Sequence, residues 1–353
     1  MLKYTDEYLA DLRDIPNCVP NFTQFNKKSV LITGAGGLIC SAVVDAFMSA
    51  VEDHKYEIEV LAAGRSIDKL KIRFDRWLTS PLFHLVKYDA LKSVVLSEKI
   101  DYVIHGASNS NPNSYLSQPV ETMLINILGV NNLLDYLHKQ GFGRFLYISS
   151  SEVYGKRSQF EPYQEDENFY VDLLNPRSCY PSSKRACETL CISYLKEHMV
   201  DSVIVRPGHV YGPTVTDFDN RASSQFPKDL AIGKNIIMKS SGLQRRSYCY
   251  VIDCASAILT VLLNGQSGNA YNISNSNSIV SIREMAEIFA SVSGKKVVFE
   301  NPTDSEKSSY NMMDDSVLNS DKLESLGWKG KFDMTAGAER TLNALQVNLK
   351  QDD

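Results

Sequence analysis

No apolar stretch of the chain approaches the roughly 20 residues that a helix needs to cross a bilayer, and residues 1–26 hold no apolar run of the signal-peptide kind. Basic residues are outnumbered. Lys and Arg total 37 against 42 Asp and Glu, a net charge of −5. That balance excludes the cationic stripe with which proteins neutralise nucleic-acid phosphates and the polybasic patch that holds anionic lipid. Neither nucleic acid nor a membrane is an expected partner. Paired cysteines are missing too. Cys18, Cys40, Cys179, Cys187, Cys191, Cys249 and Cys254 form an odd, dispersed set without a Cys-x-x-Cys. A disulfide framework or a zinc site is therefore not expected, no other metal is called for, and a reducing cytoplasmic setting fits. Repeats and low-complexity tracts are also lacking.

What is present is enough for more than one core. The 353 residues, 43% apolar, exceed the size at which one hydrophobic core stops growing, so a large domain and a smaller one are expected. After a leader at 1–26, in which Tyr4, Tyr8, Leu9 and Leu12 suit one short amphipathic helix, strands and helices alternate. Ser29–Thr33, Ile58–Ala63, Tyr102–His105, Arg144–Ser149 and Ser202–Val205 read as short apolar strands. Leu38–Val51, Pro119–Gln140 and Tyr180–His198 read as helices. Continuously apolar strands alternating with helices predict an α/β fold, a doubly wound parallel sheet covered on both faces. The expected boundaries are a Rossmann domain at 27–206, a smaller α/β region at 207–246 and 265–353, and elements near 247–264 returning to the first domain.

The turn between the first strand and the first helix reads Thr33-Gly-Ala-Gly-Gly-Leu-Ile-Cys40. Glycines in this setting let the backbone approach a pyrophosphate at a helix N-terminus, which predicts a dinucleotide site at Gly34, Gly36, Gly37, Leu38 and Ile39. Cys40 stands where a last glycine is usual, so helix and strand must part slightly to admit a thiol. The second strand ends Ala63-Gly64-Arg65-Ser66, without the carboxylate that takes ribose hydroxyls. Arg65 in its place suits a 2′-phosphate, leaving NAD and NADP equally open.

Tyr180-Pro-Ser-Ser-Lys184 sets a phenol and an ammonium on one helix face. The ammonium should lower the phenol's pKa and let it take a proton from a sugar hydroxyl. Pro181 requires that the helix start near Tyr180. One unit earlier, Ile148-Ser-Ser-Ser-Glu-Val-Tyr-Gly155 offers Ser150 to the same hydroxyl. Glu152 is either a proton-handling group or a solvated loop carboxylate.

Taken together, the glycine turn, the Ser-Ser-Ser-Glu-Val-Tyr-Gly, the Tyr-x-x-x-Lys and Arg206-Pro-Gly-His-Val-Tyr-Gly-Pro213 resemble the extended short-chain dehydrogenase/reductase family, the NAD-dependent epimerases and dehydratases of nucleotide sugars. The resemblance spans about residues 29–345. It implies a nucleotide-sugar substrate and oxidation to a 4-keto intermediate. It further implies cofactor contacts at Asp89, Ala90, Ala107, Asn126, Pro207, His209 and Val210, and substrate contacts at Ser108, Tyr115 and Ser151. Arg177, Arg185 and Arg246 would hold diphosphate or carboxylate, unless they are ordinary ion-pair arginines. A homodimer is implied through helices holding Asn126–Tyr136 and Lys184–Leu195, with Ile127, Val130, Leu133, Leu134 and Leu190 facing either the partner or the protein's own core. Ala107-Ser-Asn-Ser-Asn-Pro-Asn-Ser-Tyr115 and Asn175-Pro-Arg-Ser-Cys-Tyr180 are most similar to the branch that decarboxylates UDP-glucuronate. Epimerisation, dehydration and simple reduction of a keto sugar are the alternatives. A non-catalytic sensor is disfavoured because both Tyr180 and Lys184 are kept.

Overall fold

A computed structural model describes residues 4–349 apart from 95, 97–98, 111, 158–160, 218, 304–312 and 314. Seven strands form one parallel sheet: β1 (Lys28–Thr33), β2 (Ile58–Gly64), β3 (Phe83–Lys87), β4 (Tyr102–His105), β5 (Arg144–Ile148), β6 (Asp201–Pro207) and a last strand at Ala270–Ile273. Their spatial order is Ala270–Ile273, β6, β5, β4, β1, β2, β3. The order reverses between β1 and β4, so a crevice opens beyond their carboxyl ends, where open α/β sheets bind ligands. The apolar strands are buried because helices cover both faces: α1 (Asp6–Cys18), α2 (Leu38–His54) and α3 (Ile67–Arg73), then α4 (Pro119–Gln140) and α5 (Cys179–His198). The Rossmann fold expected from the alternation is the fold observed.

The strand Ala270–Ile273 pairs with β6 in the central sheet, although it lies within the stretch assigned to the second region. The helix Val251–Asn264 packs against α2, and Arg245–Tyr250 joins His209–Tyr211 and Ile279–Ser281 in a separate three-stranded sheet. β3 and α3 were not anticipated. They are short, and neither has a clear periodicity of its own. The leader is part of the fold: Leu9, Leu12 and Ile15 of α1 are buried in the main core with Phe22 and Phe25. At roughly 1.5–3 kcal/mol per large apolar side chain, α1 contributes several kcal/mol.

Of the apolar residues assigned to a dimer face, Val130, Leu133 and Leu134 are fully buried in the subunit's own core, and Ile127 and Leu190 pack at its edge. The exposed apolar residues of these helices are others: Val120, Met123, Leu124 and Leu128 on α4 and Ile192 on α5. Helical spacing alone could not tell which of two apolar faces points inward, because α4 carries both. No helix among the described residues is long and apolar enough to cross a membrane.

Candidate active site

A cavity of about 760 Å³ occupies the crevice beyond β1 and β4. The glycine turn forms its floor. Gly34 sits at φ +69°, and a Cβ there would lie 2.7 Å from the Ala107 nitrogen, so only glycine lets the β1 turn pass so close to the β4 loop. Gly37 precedes the first residue of α2 in extended conformation, with Leu38 and Ile39 opening the helix. All five predicted turn residues line the cavity, as do Arg65, Asp89, Ala90, Ala107, Ser108, Pro207 and Val210. Cys40 is accommodated differently from the expectation. Its buried sulfur fills the place where a Gly106 side chain would be, so a missing Cβ on the β4 loop, rather than a parting of helix and strand, makes the room.

Tyr180, Lys184 and Ser150 line the same cavity. α5 starts at Cys179, which places Pro181 in the first turn, where its missing N–H costs nothing. Tyr180 and Lys184 then share a face. The Lys184 Nζ donates to the Ile148 carbonyl at 2.7 Å and lies 5.6 Å from the Tyr180 ring centre. Burial brings its pKa down to about 8. The Tyr180 phenol goes the other way from the sequence expectation. Burial, with the nearby Glu152 charge, raises its pKa, while hydrogen bonding from Ser150 and the charge of Arg221 oppose the rise. Desolvation wins because the phenol has left water, and the ammonium is turned toward a main-chain carbonyl.

A second layer supports this set. Tyr115 stacks on Tyr180 with ring centres 4.5 Å apart and 21° between planes. The Arg177 guanidinium lies 4.8 Å from the Tyr115 ring centre and grips Glu152 in a two-pronged ion pair, with contacts of 2.7 and 3.0 Å. Tyr115, Ser151, Glu152 and Arg177 are therefore behind the cavity wall rather than among its lining residues. Glu152 is neither a solvated loop carboxylate nor an unencumbered base. Arg185 donates to the carbonyls of Val153, Tyr154 and Phe169 and so braces the loop after β5. Arg246, also outside the lining set, donates to the carbonyls of Arg245 and Met313. Asn126 is buried on α4, donating to Ser183 at 2.8 Å, with its own carbonyl oxygen unpartnered. His209 is partly buried and packs edge-on against Tyr248 outside the lining. The loop Ala107–Tyr115 is described apart from Asn111.

Arg221 is one of the residues that sequence reasoning missed. It lines the cavity, pairs with Asp219 through a 3.0 Å contact from its Nε, and pulls the Tyr180 phenol downward. It lies in a stretch without periodicity, and only the chain's return to the crevice brings it there. Lys69 and Arg73 were missed because α3 is only seven residues long and has no clear periodicity.

The model for the NAD dependent epimerase/dehydratase family matches residues 30–274, and the chain belongs to that family. Among relatives, it is 30% identical over 332 residues to UDP-glucuronic acid decarboxylase 3 of Arabidopsis thaliana, covering 93% of this chain and 90% of that one. Among solved structures, it superposes on the UDP-glucuronic acid 4-epimerase of Bacillus cereus, in complex with UDP-glucuronic acid and NAD, with a TM-score of 0.75 at 22% identity, covering 91% and 99% of the two chains. It superposes on RMD of Pseudomonas aeruginosa, complexed with NADPH, with a TM-score of 0.70 at 23% identity, covering 92% and 100%.

Proposed function

We propose that this chain is an enzyme that uses NAD or NADP to modify a nucleotide sugar through a 4-keto intermediate, and that its reaction is decarboxylation of a UDP-hexuronic acid. The observation that carries the class is the meeting of the glycine turn, Ser150, Tyr180 and Lys184 in one cavity. Gly36 and Gly37, which line the cavity without side chains, suit a pyrophosphate laid on the turn, and Lys184 would steady the ribose end of the nicotinamide half. When bound, the dinucleotide supplies a hydride acceptor that can return what it takes. Tyr180 accepts the proton of the sugar's C4 hydroxyl, and Ser150 donates to the same oxygen. Burial alone would hold the phenol protonated, so Ser150, Arg221 and the positive charge of the oxidised nicotinamide are what make proton acceptance possible.

Once C4 is a ketone, the carboxylate at C5 belongs to a β-keto acid. The bond from C5 to the carboxyl carbon breaks, its electron pair passes to the C4 oxygen, carbon dioxide leaves, and C5 then takes a proton. Such a reaction asks for little beyond a polarised C4 oxygen and a cation for the carboxylate, and Arg221 is the cavity-lining arginine nearest that role. Dehydration is a poorer fit. A 4,6-dehydratase places an adjacent Asp–Glu pair at this loop, and here the pair is Ser151-Glu152, with Glu152 held by Arg177. Epimerisation of the same acid keeps more standing than the sequence alone gave it. The Arg177 pairing accounts for Glu152 without assigning it any proton transfer, so its presence no longer speaks against an epimerase. Incubation with UDP-glucuronate and either dinucleotide, followed by mass spectrometry, tests the proposal. UDP-pentose and released carbon dioxide are expected; an unchanged carbon count, or inert UDP-glucuronate beside a reacting uncharged UDP-hexose, would leave only the family.

The homodimer is likewise proposed, now through the exposed Val120, Met123, Leu124, Leu128 and Ile192. On α4 these residues recur at helical spacing, and an exposed apolar stripe of that kind suits the surface of a partner. Sedimentation at micromolar concentration should give twice the chain mass, and a monomer there would refute it.

A further inference from the structure

Behind the cavity wall, three buried residues stand side by side. The parallel register sets His105 of β4 between Thr33 of β1 and Tyr147 of β5, and partners in register share a face of the sheet. This is the face that α4 and α5 cover. The Thr33 hydroxyl and the His105 Nδ1 share a hydrogen bond of 2.7 Å. The His105 ring stacks on Tyr147 with centres 6.0 Å apart and 19° between planes. Gly129 of α4 closes on the imidazole, where a Cβ would lie 3.2 Å from it. The row starts at the residue before the glycine turn and fixes the orientation of the Tyr147 ring.

Lys184 ends on that ring. Its Nζ lies over the Tyr147 face, 4.7 Å from the ring centre, while it donates to the Ile148 carbonyl at 2.7 Å. Ring and carbonyl come from consecutive residues of β5, so one strand holds the ammonium at two points. The other groups around it bring little charge of their own. Glu188 of α5 is paired with Arg206 at 2.7 Å. Burial raises the Cys187 thiol of α5, the Cys40 thiol of α2 and the Tyr180 phenol, which therefore keep their protons. Burial and the Lys184 charge push His105 down to about 3, so it adds no second cation. Burial, with the Cys187 thiol, holds the Tyr147 phenol well above its ordinary value and so neutral. A neutral phenol ring has a negative face, and a desolvated ammonium over that face is attracted to it.

We propose that Tyr147 is a positioning residue for the Tyr180–Lys184 pair: its ring face seats the Lys184 ammonium, keeps it charged and holds it 5.6 Å from the Tyr180 ring centre. Tyr147 is not among the residues that line the cavity, so it acts through Lys184. The proposal rests on the reading that Lys184 serves a dinucleotide ribose and the Tyr180 phenol. Burial favours the neutral amine, and a Lys184 pKa of about 8 leaves little reserve at neutral pH. Losing the ring face would remove an attraction felt by the charged form alone. The pKa would fall further, and a neutral amine would stand where the phenol needs a cation beside it to give up its proton.

The test reads Lys184 directly. The full chain with isotope-labelled lysine side chains is titrated by NMR, without substrate or dinucleotide, and the Lys184 signal is the one absent from Lys184→Met. Tyr147→Phe keeps the face and should leave the titration midpoint close to that of the wild type. A phenylalanine with a fully fluorinated ring at position 147 keeps the shape but reverses the charge of the face. It should lower the midpoint by about one pH unit. Tyr147→Leu, which loses the ring outright, should lower it by a similar amount; the fluorinated ring carries the test even where leucine leaves too large a void for folding. A packing role alone would move stability and leave the midpoint in place. With UDP-glucuronate and a dinucleotide supplied, the alkaline fall in kcat should move to lower pH together with the midpoint. A midpoint unmoved by the fluorinated ring overturns the seat, whether or not the chain turns over UDP-glucuronate. A lowered midpoint in a chain inert toward UDP-glucuronate supports the seat and overturns the decarboxylation.

Discussion

Removing the Glu152 carboxylate should destabilise the protein before it says anything about chemistry. The pair with Arg177 is two-pronged and largely out of water, with 8% and 17% of the two side chains exposed. The Arg177 Nε is buried without a partner, so the guanidinium depends on Glu152 for its compensation. Truncating one member of a buried pair strands the other, at about 3–5 kcal/mol. Glu152→Ala should therefore cost about 3 kcal/mol or more. Glu152→Gln, which keeps an acceptor but loses the charge, should cost about 1–3 kcal/mol. Replacing both (Glu152→Leu with Arg177→Met) takes two charges out of a half-dry site and should land nearer the wild type than Glu152→Ala does. Urea unfolding followed by circular dichroism measures all three, provided the slopes agree, so that the differences report stability rather than a changed unfolded state. A Glu152→Ala cost below about 1 kcal/mol would refute the reasoning, because it would place the pair in solvent. Lost activity in Glu152→Ala alone would not identify a proton-transfer group, since Arg177 packs on Tyr115 and Tyr115 stacks on Tyr180.

Three further outcomes are expected. Tyr180→Phe should lower kcat by at least about 10²-fold, the usual worth of a positioned acid–base group, with the unfolding midpoint little changed; near wild-type turnover would exclude the phenol from the chemistry. Gly34→Ala should weaken dinucleotide binding and lower stability by about 1–3 kcal/mol, because a Cβ there meets backbone at 2.7 Å and the residue has positive φ; calorimetry showing unchanged affinity would contradict the close packing of the two loops. The depressed Lys184 pKa predicts a signed pH effect. The folded chain releases this proton near pH 8 while the unfolded chain keeps it to about 10.5, so the unfolded state binds more protons in that window and the Lys184 contribution to stability rises with pH. A shift of that size corresponds to about 3 kcal/mol. The stability of wild type relative to Lys184→Met should therefore improve between pH 7.5 and 10.5, and a flat difference would mean that the ammonium is not desolvated.

Some of this protein is written in local sequence, and some is not. The alternating apolar strands and amphipathic helices were legible because burial on both faces of a parallel sheet imposes them residue by residue. The glycine turn and the Tyr180–Lys184 spacing were legible because each is a short-range geometric demand, a backbone that must pass close and two side chains one helical turn apart. Tertiary structure alone decided the rest. Whether Val130 or Leu128 faces outward depends on which side of α4 meets the sheet, and both sides are apolar. Arg177 and Glu152 are 25 residues apart, and nothing local distinguishes an arginine that reaches a substrate from one that grips a carboxylate. Arg221 and Arg73 arrive at the cavity through loops and a short helix without periodicity, and Tyr4 and Tyr8 acquire their place only when α1 docks and meets Asp45. Charge and hydrogen-bond partners are chosen in three dimensions, where desolvation forces every buried polar group to find a counterpart from whatever part of the chain the fold brings near.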